Sequence, residues 1–214
     1  MPGNIRKVPE SLRPKTDRPE AILGSMTNGP LIIASTDRLR IRELTLHDIP
    51  GWLSVFGDPE IARYDVFEPI GADTAEEDVR QELATYWNAD PMDPVNYAIE
   101  SLDGSFLGIL YQERHGARSC RIGYHLVRKH WGSGYAREAV AAFIRYLYNE
   151  RGVWTVTAGV DSRNARSIKL LQGLSFSELQ ATGTDKVVKG EAVRDLEFAL
   201  SLGPENLPST NRSR

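Results

Sequence analysis

Hydrophobic and polar residues alternate along several short segments of the chain, a pattern that is typical of half-buried strands. Residues 39–43 alternate in this way. Residues 96–101 and 105–113 are strand-like runs separated by Leu102-Asp103-Gly104, a sequence that favours a hairpin turn. Four more strands are predicted at residues 120–127, 153–160, 176–179 and 192–200.

The longest predicted helix covers residues 134–150. Apolar residues recur there every three or four positions, from Ala136 to Leu147, and form one continuous face. Gly152 follows, and glycine is the residue at which helices commonly end. This helix is the strongest secondary-structure signal in the sequence.

Three shorter helices are predicted over residues 45–56, 74–87 and 164–171. Thr74 opens the second of these, because its hydroxyl can cap the helix and Glu77 stands three residues further on. The resulting order is β-α-α-β-β-β-α-β-α-β-β. It predicts an α+β fold with a mainly antiparallel twisted sheet and one central parallel βαβ crossover.

The chain has 214 residues, of which 41% are hydrophobic, and this is enough for one sizeable core. Residues 1–30 contain five prolines and few large apolar side chains, so we predict a flexible N-terminal tail there. Residues 203–214 are similar and are predicted as a flexible C-terminal tail. One folded domain is therefore expected over residues 31–202.

Charge and cysteine content narrow the possible classes of protein. The formal net charge of −3 does not indicate a general nucleic-acid binder. Cys120 is the sole cysteine, which excludes an internal disulfide and a cysteine cluster for zinc. No apolar run approaches the ~18 residues of a membrane span, and the first 25 residues lack the apolar core of a secretory signal. We therefore expect a cytoplasmic protein with no metal and no membrane partner.

A glycine-rich turn between a strand and the longest helix is the sharpest candidate site. Gly132 and Gly134 lack Cβ atoms where the backbone must bend, and the first N–H groups of the helix are free to bind an anion. The basic run Arg128-Lys129-His130 and Arg137 add positive charge. A pyrophosphate cradle is the favoured interpretation. A plain glycine-rich turn is an alternative, and a dinucleotide fingerprint is another, although Arg137 stands where it needs glycine.

A second segment, Asp161 to Ser167, follows the strand that comes after the longest helix. In a right-handed crossover this strand returns beside the first one, and both helix starts lie at the same edge of the sheet. Asn164 and Ser167 would then flank whatever binds at the glycine turn. A purely structural alternative is that Asn164 only caps its own helix.

These residues resemble the GNAT acetyltransferase superfamily and, within it, the RimJ/RimL type that acetylates the N-termini of ribosomal proteins. The resemblance covers residues 31–201. Five stretches in order carry it: Thr36-Asp-Arg-Leu-Arg-Ile-Arg42, Ile122-Gly-Tyr124, Trp131-Gly-Ser-Gly-Tyr-Ala136, Asn164-Ala-Arg-Ser167 and Leu170-Leu-Gln-Gly-Leu-Ser-Phe176, with Arg194-Asp195 near the end. It implies a three-layer fold with a V-shaped splay between two central strands, and acetyl-CoA lying in the V.

The resemblance also implies roles for individual residues. Backbone groups of Leu126 and Val127 would pair with the pantetheine arm. The side chain of Asn164 would bond the pantetheine, and Ser167 would lie near the sulfur and protonate the leaving thiolate. The pyrophosphate would bind the amides of Trp131, Gly132, Ser133, Gly134, Tyr135, Ala136 and Arg137.

One departure from the family concerns the general base. Relatives often carry glutamate immediately before Ile122, but this chain has Arg121. Glu113, at the end of the preceding strand, is the favoured substitute base, with Tyr124 and His125 as weaker candidates. We predict Arg121 and Tyr124 as acceptor-binding residues, and Arg121 as a bidentate partner for a carboxylate or phosphate of the acceptor.

The expected function is therefore transfer of an acetyl group from acetyl-CoA, as cosubstrate, to an amine acceptor by direct attack. The acceptor could be a small molecule, an amino acid, an antibiotic or a protein N-terminus. Two alternatives stay open: a tRNA-dependent aminoacyl transferase on the same fold, which is the sole interpretation that involves nucleic acid, and a CoA-binding module without activity. The resemblance is compatible with a homodimer.

Overall fold

The computed structural model describes residues 29–88, 94–179 and 184–210. The chain divides into residues 1–31 and 32–214, and the second unit holds the sheet, the helices and the candidate site. The predicted N-terminal tail therefore lies almost entirely outside the described residues. Of the predicted C-terminal tail, residues 203–210 are described: they form no strand or helix, and Leu207 packs against the main core.

The described residues form strands and helices in an α+β order. The strands are β1 Ile32–Ser35, β2 Leu39–Glu43, β3 Val95–Ser101, β4 Phe106–Arg114, β5 Ser119–Leu126, β6 Thr155–Asp161, β7 Ser177–Glu178, β8 Thr184–Val188 and β9 Glu191–Ser201. The helices are α1 Ile49–Phe56, α2 Pro59–Ala62, α3 Ala72–Asn88, α4 Tyr135–Arg151 and α5 Ala165–Gly173, with 3-10 turns at Leu46–Asp48 and Arg128–His130.

All the strands join in one sheet, in the order β1-β2-β3-β4-β5-β6-β9-β7, and β8 also pairs with β9. Neighbouring strands are antiparallel except β5 and β6, which are parallel and are connected through α4. This arrangement confirms the predicted α+β fold with one central crossover. The parallel pairing is short, because only Ser119–Arg121 on β5 and Thr155–Thr157 on β6 are in register. Beyond this point the two strands continue without pairing to each other.

Two apolar clusters cover opposite faces of the sheet. Phe143 and Ile144 of α4 and Leu171 of α5 pack with Leu110 and other sheet residues in the larger cluster. On the other face, α1 and α3 pack against Ile109 and its neighbours. Successive residues of a strand point to opposite faces, so adjacent positions on β4 serve different clusters. The fold therefore has three layers, with the unpaired ends of β5 and β6 in the middle one.

The structure corrects several sequence predictions. The N–H groups of Thr74 and Ala75 bond to Gly71 O at 3.2 Å each, so α3 starts two residues before Thr74, and Thr74 is not its cap. The predicted helix over 45–56 is a 3-10 turn followed by α1. Three elements were not predicted: β1, α2 and β8.

Candidate functional site

The glycine turn has the geometry of an open anion cradle. Gly132 and Gly134 both have positive φ, at 76° and 79°, a conformation that glycine adopts without steric cost. Gly134 is the N-cap residue of α4, so the N–H groups of the first turn of this 17-residue helix, which have no carbonyl partner within the helix, follow directly. A Cβ atom placed on Gly132 would meet no other atom within 4 Å. The surface of the turn therefore has room for a ligand.

A cluster of paired charged and polar side chains stabilises the glycine turn. Glu138, in the first turn of α4, is buried, and Arg38 Nε donates to its carboxylate at 2.7 Å. The hydroxyl of Thr36 donates to the same carboxylate at 2.6 Å. Arg38 also donates to the carbonyl of Ser133 at 3.2 Å, and its guanidinium lies 4.7 Å from the centre of the Tyr135 ring. The segment before β2 thus fixes the position of the turn before any ligand binds.

Trp131 connects the turn to β5 and α5. Its indole N–H donates to the carbonyl of Leu126 at 2.8 Å, and the guanidinium of Arg166 stacks on its ring at 4.7 Å. The N–H of Val127 donates to Leu107 O at 3.0 Å, and its carbonyl accepts from His130 N at 2.9 Å. The backbone of Val127 is thus engaged within the chain, unlike what the resemblance implied for it.

The alternation of hydrogen bonds along β5 identifies the groups that face the gap. The backbone of Val127 bonds to β4, and successive residues of a strand direct their backbone groups to opposite sides. The even-numbered residues before Val127 therefore direct theirs toward β6. These are Ile122, Tyr124 and Leu126, and the carbonyl of Leu126 already accepts from Trp131. Ile122 and Tyr124 therefore offer the strand edge to an extended ligand.

A cavity of about 120 Å³ opens where β5 and β6 stop pairing. Four segments of the chain form its walls. They are β5 through Ile122, Gly123, Tyr124 and His125, β6 through Ala158, Gly159, Val160 and Asp161, the start of α5 through Asn164 and Ser167, and the region of α2 through Ile61, Tyr64 and Asp65. The structure thus brings the predicted residues Tyr124, Asn164 and Ser167 together.

Asn164 caps α5, since its side-chain oxygen accepts from Ser167 N at 3.1 Å. The structural alternative weighed from the sequence is therefore present in the molecule. It does not exclude ligand binding, because the amide nitrogen of the same side chain is a separate donor. Both Asn164 and Ser167 line the cavity.

Tyr124 carries a buried hydroxyl that makes no hydrogen bond of standard geometry in the described part of the chain, although the Ser167 hydroxyl lies close to it. Burial raises the pKa of Tyr124 to about 12, and the neighbouring Ser167 hydroxyl offsets this only in part. The phenol is therefore protonated at neutral pH and can donate. Leaving such a group unpaired costs about 1–3 kcal/mol, so a ligand atom in the cavity would complete the site.

His125 and Asp65 form a pair at the cavity that the sequence did not predict. His125 Nε2 lies 3.0 Å from Asp65 Oδ2, and the imidazole packs against Phe56 and Phe67 with ring centres 5.8 and 5.7 Å apart. Burial opposes ionisation of Asp65, but its hydrogen bonds to His125 and to the Val66 amide outweigh burial and lower the pKa of Asp65. No sequence motif links two residues that lie 60 positions apart.

Arg121 has a partner within the chain. Its Nη1 donates to Glu197 Oε1 at 2.7 Å, so it bridges β5 to β9 over the intervening strand β6. Gly159 makes this possible, because a Cβ there would lie 2.0 Å from Arg121 Nη2. An acceptor carboxylate could reach Arg121 only in competition with Glu197.

Glu113 does not line the cavity. Its carboxylate accepts from the Tyr111 hydroxyl at 3.0 Å and lies 3.5 Å from His115 Nε2, toward the hairpin between β4 and β5. The structure therefore does not bring the favoured base of the sequence analysis to Tyr124 and Ser167. Among the described residues there is no group of three or more His, Cys, Asp and Glu side chains that could hold a metal ion. None of the described helices is both long and apolar enough to cross a membrane.

Comparison with known proteins identifies the class. The family described as "Acetyltransferase (GNAT) domain" matches residues 38–177. The chain is 28% identical over 168 residues to "Uncharacterized N-acetyltransferase p20" of Bacillus licheniformis, covering 77% of this chain and 93% of that protein. The chain therefore belongs to the GNAT acetyltransferase family and is an acyltransferase.

Solved structures share the fold. Mycobacterium smegmatis RimJ, in complex with CoA-disulfide, has a TM-score of 0.66 at 21% identity, over 85% of this chain and 88% of that one. RimL, a ribosomal L7/L12 α-N-protein acetyltransferase in complex with coenzyme A, has a TM-score of 0.70 at 13% identity, over 80% of this chain and 98% of that one. At these identities the likeness concerns the fold alone.

Proposed function

We propose that the protein transfers an acetyl group from acetyl-CoA to a primary amine. The observation that carries this proposal is the alignment of two features along the gap between β5 and β6. The open turn at Gly132 and Gly134 is suited to a pyrophosphate, and the cavity further along holds the unpartnered Tyr124 hydroxyl. A long ligand with a phosphate part and a narrow reactive arm satisfies both.

Each part of the ligand has matching groups in the chain. The backbone amides of Gly132, Gly134, Tyr135 and Ala136, at the N-terminus of α4, hold the pyrophosphate. The N–H of Trp131, which the resemblance assigned to this role, is bonded to Arg128 O at 3.1 Å. Backbone groups of Ile122 and Tyr124 pair with the pantetheine as an added strand would, and Leu126 contributes as far as its bond to Trp131 allows. The Asn164 amide adds a side-chain donor. Bound acetyl-CoA supplies the activated acetyl thioester.

Tyr124 and Ser167 act on the leaving sulfur. Both line the cavity, and the Tyr124 phenol, whose pKa burial raises to about 12, is protonated at neutral pH. A hydroxyl here can donate a proton to the thiolate as it departs. The acceptor is proposed only as a class, a primary amine of a small molecule or of a protein N-terminus. A cytoplasmic setting agrees with Cys120 being a free, buried cysteine.

Ligand binding is tested by thermal unfolding with acetyl-CoA, coenzyme A and NAD. A ligand at 100 times its Kd stabilises a protein by about 2.7 kcal/mol through mass action. We expect acetyl-CoA and coenzyme A to raise the unfolding temperature and NAD to have no effect. Stabilisation by NAD alone would return the site to the dinucleotide interpretation.

Catalysis is tested by release of free thiol from acetyl-CoA over a panel of amines, with Tyr124→Phe as the diagnostic variant. Because the substitution removes an unpartnered buried hydroxyl, we expect the ligand-free variant to be at least as stable as the wild type. We expect acetyl transfer to fall by about 10²-fold, as for loss of a general acid. Binding of acetyl-CoA without thiol release from any amine would instead indicate a binding module.

A further inference from the structure

We propose that His125 is the general base that deprotonates the acceptor amine, and that Asp65 is the residue that positions it. This inference rests on the proposed function and names the group that activates the acceptor.

The placement of His125 relative to Tyr124 suits a general base. They are consecutive on β5, so their side chains point to opposite faces of the sheet. Tyr124 packs against the cluster formed by α4 and α5, whereas His125 contacts Phe56 of α1 on the other face. Both nevertheless line one cavity, because β5 and β6 do not pair there. A proton donor and a proton acceptor therefore stand on opposite sides of the reaction space.

The hydrogen bond to Asp65 determines which imidazole nitrogen is basic. The lowered pKa of Asp65 keeps its carboxylate ionised at neutral pH, and an ionised carboxylate only accepts hydrogen bonds. The Nε2 atom of His125, 3.0 Å away, must then carry the hydrogen. Nδ1 is left as the basic nitrogen, and the carboxylate stabilises the imidazolium that forms when Nδ1 takes a proton. The same bond fixes the ring orientation.

The charges around the pair leave Asp65 as the dedicated partner of the imidazole among the described residues. On β6, Asp161 also lines the cavity, but Arg163 neutralises it at 2.7 Å. On β8, the positive charge of Lys186 contributes to the lowered pKa of Asp65, and Lys186 is itself paired with Asp195 at 3.0 Å. On α1, Phe56 packs against the imidazole with ring centres 5.8 Å apart, and β4 places the apolar residue Ile109 opposite His125 in the strand register.

The proton and bond changes balance with these groups. The acceptor enters as R–NH₃⁺ and gives one proton to His125 Nδ1. The neutral amine then forms the C–N bond to the thioester carbon, and the C–S bond breaks with its electron pair on sulfur. Tyr124 or Ser167 protonates the sulfur, and the second proton lost by nitrogen restores that hydroxyl. His125 releases its proton to water, so one proton leaves per amide formed.

The test compares His125→Gln with His115→Gln on two kinds of acceptor. His115 is also an imidazole beside a carboxylate, at 3.5 Å from Glu113, but it is exposed and lies outside the cavity, so it is a matched control. One acceptor is an alkylamine, which is protonated at pH 7, and the other is an arylamine, which is already neutral. Loss of the general base should slow the reaction only of the acceptor that must be deprotonated before it attacks.

We expect His125→Gln to lower kcat/KM for the alkylamine by about 10²-fold or more. The value of kcat/KM for the arylamine should change little. His115→Gln should match the wild type on both. The gain in unfolding temperature with acetyl-CoA should be the same in all three proteins, which shows that His125→Gln folds and binds the donor. Equal rates of His125→Gln and wild type on the alkylamine would overturn the inference.

Variants of two carboxylates distinguish His125 from the competing base Glu113. Glu113→Gln should leave the alkylamine rate unchanged, and a selective loss there would assign the base to Glu113 instead. Asp65→Asn should lower the rate, and Asp65→Glu should recover part of it. The loss in Asp65→Asn should be confined to the alkylamine, as for His125→Gln, since a merely structural defect would lower the rate with both acceptors. A wild type that acetylates no amine would overturn the proposed function together with this inference.

Discussion

At the scale of single residues, Gly132 shows how backbone conformation and ligand space are combined. Its φ of 76° is unfavourable for any residue with a Cβ atom, by about 1–2 kcal/mol. The position of that missing atom is open, and it lies where the proposed pyrophosphate would approach the main chain. Gly104, in the turn between β3 and β4, has a similar φ of 87° and an equally open environment, but it lies outside the cradle.

This pair of glycines gives a controlled prediction. Gly132→Ala and Gly104→Ala should each lower the free energy of unfolding by about 1 kcal/mol, because both force alanine into the left-handed region. Only Gly132→Ala should weaken acetyl-CoA binding, by about 10-fold or more, because its methyl group enters the phosphate space. Isothermal titration calorimetry with acetyl-CoA measures this. Equal affinities of the two variants would contradict a phosphate site at Gly132.

Residue chemistry that acts locally was predictable, and chemistry assembled over long separations was not. The two glycines, and Asn164 as a cap three residues before Ser167, follow from short-range rules of backbone geometry. The His125–Asp65 bond joins positions 60 apart, and the Arg121–Glu197 bond joins positions 76 apart. Nothing in the local pattern around Asp65 or Glu197 distinguishes them from ordinary surface carboxylates.

At the scale of elements, the N-terminus of α4 is held in place by the segment that leads into β2. Glu138 is 7% exposed and is bonded by Arg38 and Thr36, which lie about 100 positions earlier. A buried carboxylate is costly unless it is paired. Since Arg38 also bonds the Ser133 carbonyl, the same guanidinium that stabilises the helix also orients the turn.

We therefore expect Arg38→Met to affect both stability and donor binding. It leaves Glu138 buried without its cationic partner, and because the Arg38 side chain is itself 35% exposed, the loss should be about 2 kcal/mol. The double variant Arg38→Met/Glu138→Gln should recover much of the unfolding free energy, measured with urea, but not the affinity for acetyl-CoA. Recovery of both would show that the turn needs no contact from Arg38.

The helices and strands with the clearest hydrophobic patterns in their own sequences were the easiest to predict. α4 has a continuous apolar face and a glycine at each end, and its prediction was correct to within about one residue. β1 and β8 are short edge-region strands with exposed residues, and β1 pairs through an irregular register. Their strand character comes from pairing with β2 and β9, which no pattern within 4 or 5 residues can reveal.

At the scale of the whole molecule, the angle of the gap between β5 and β6 depends on the contacts at the point where the two strands stop pairing. The last paired residues are Arg121 on β5 and Thr157 on β6. Just beyond them the Arg121 side chain crosses Gly159 and reaches Glu197 on β9. This ion pair spans three strands at the point where β5 and β6 separate. We infer that it fixes the angle of the gap in which donor and acceptor meet.

This role leads to an outcome different from the one predicted from the sequence. If Arg121 fixes the angle of the gap and does not bind the acceptor, Arg121→Ala should lower kcat/KM equally for acidic and neutral amines. Gly159→Ala should do the same, because its Cβ would displace the guanidinium while leaving the charge in place. The pair is partly exposed, at 33% and 21%, so the loss of stability should stay at about 1 kcal/mol.

An Arg121 that bound an acceptor carboxylate would lose activity only with acidic amines when changed to alanine, and Glu197→Gln, which removes the competing carboxylate, would speed those same acceptors. Steady-state kinetics with one acidic and one neutral amine of similar basicity separate the two cases. We expect the equal loss, since Glu197 is already held by the sheet and loses little further entropy on pairing with Arg121, whereas a diffusing acceptor must be immobilised.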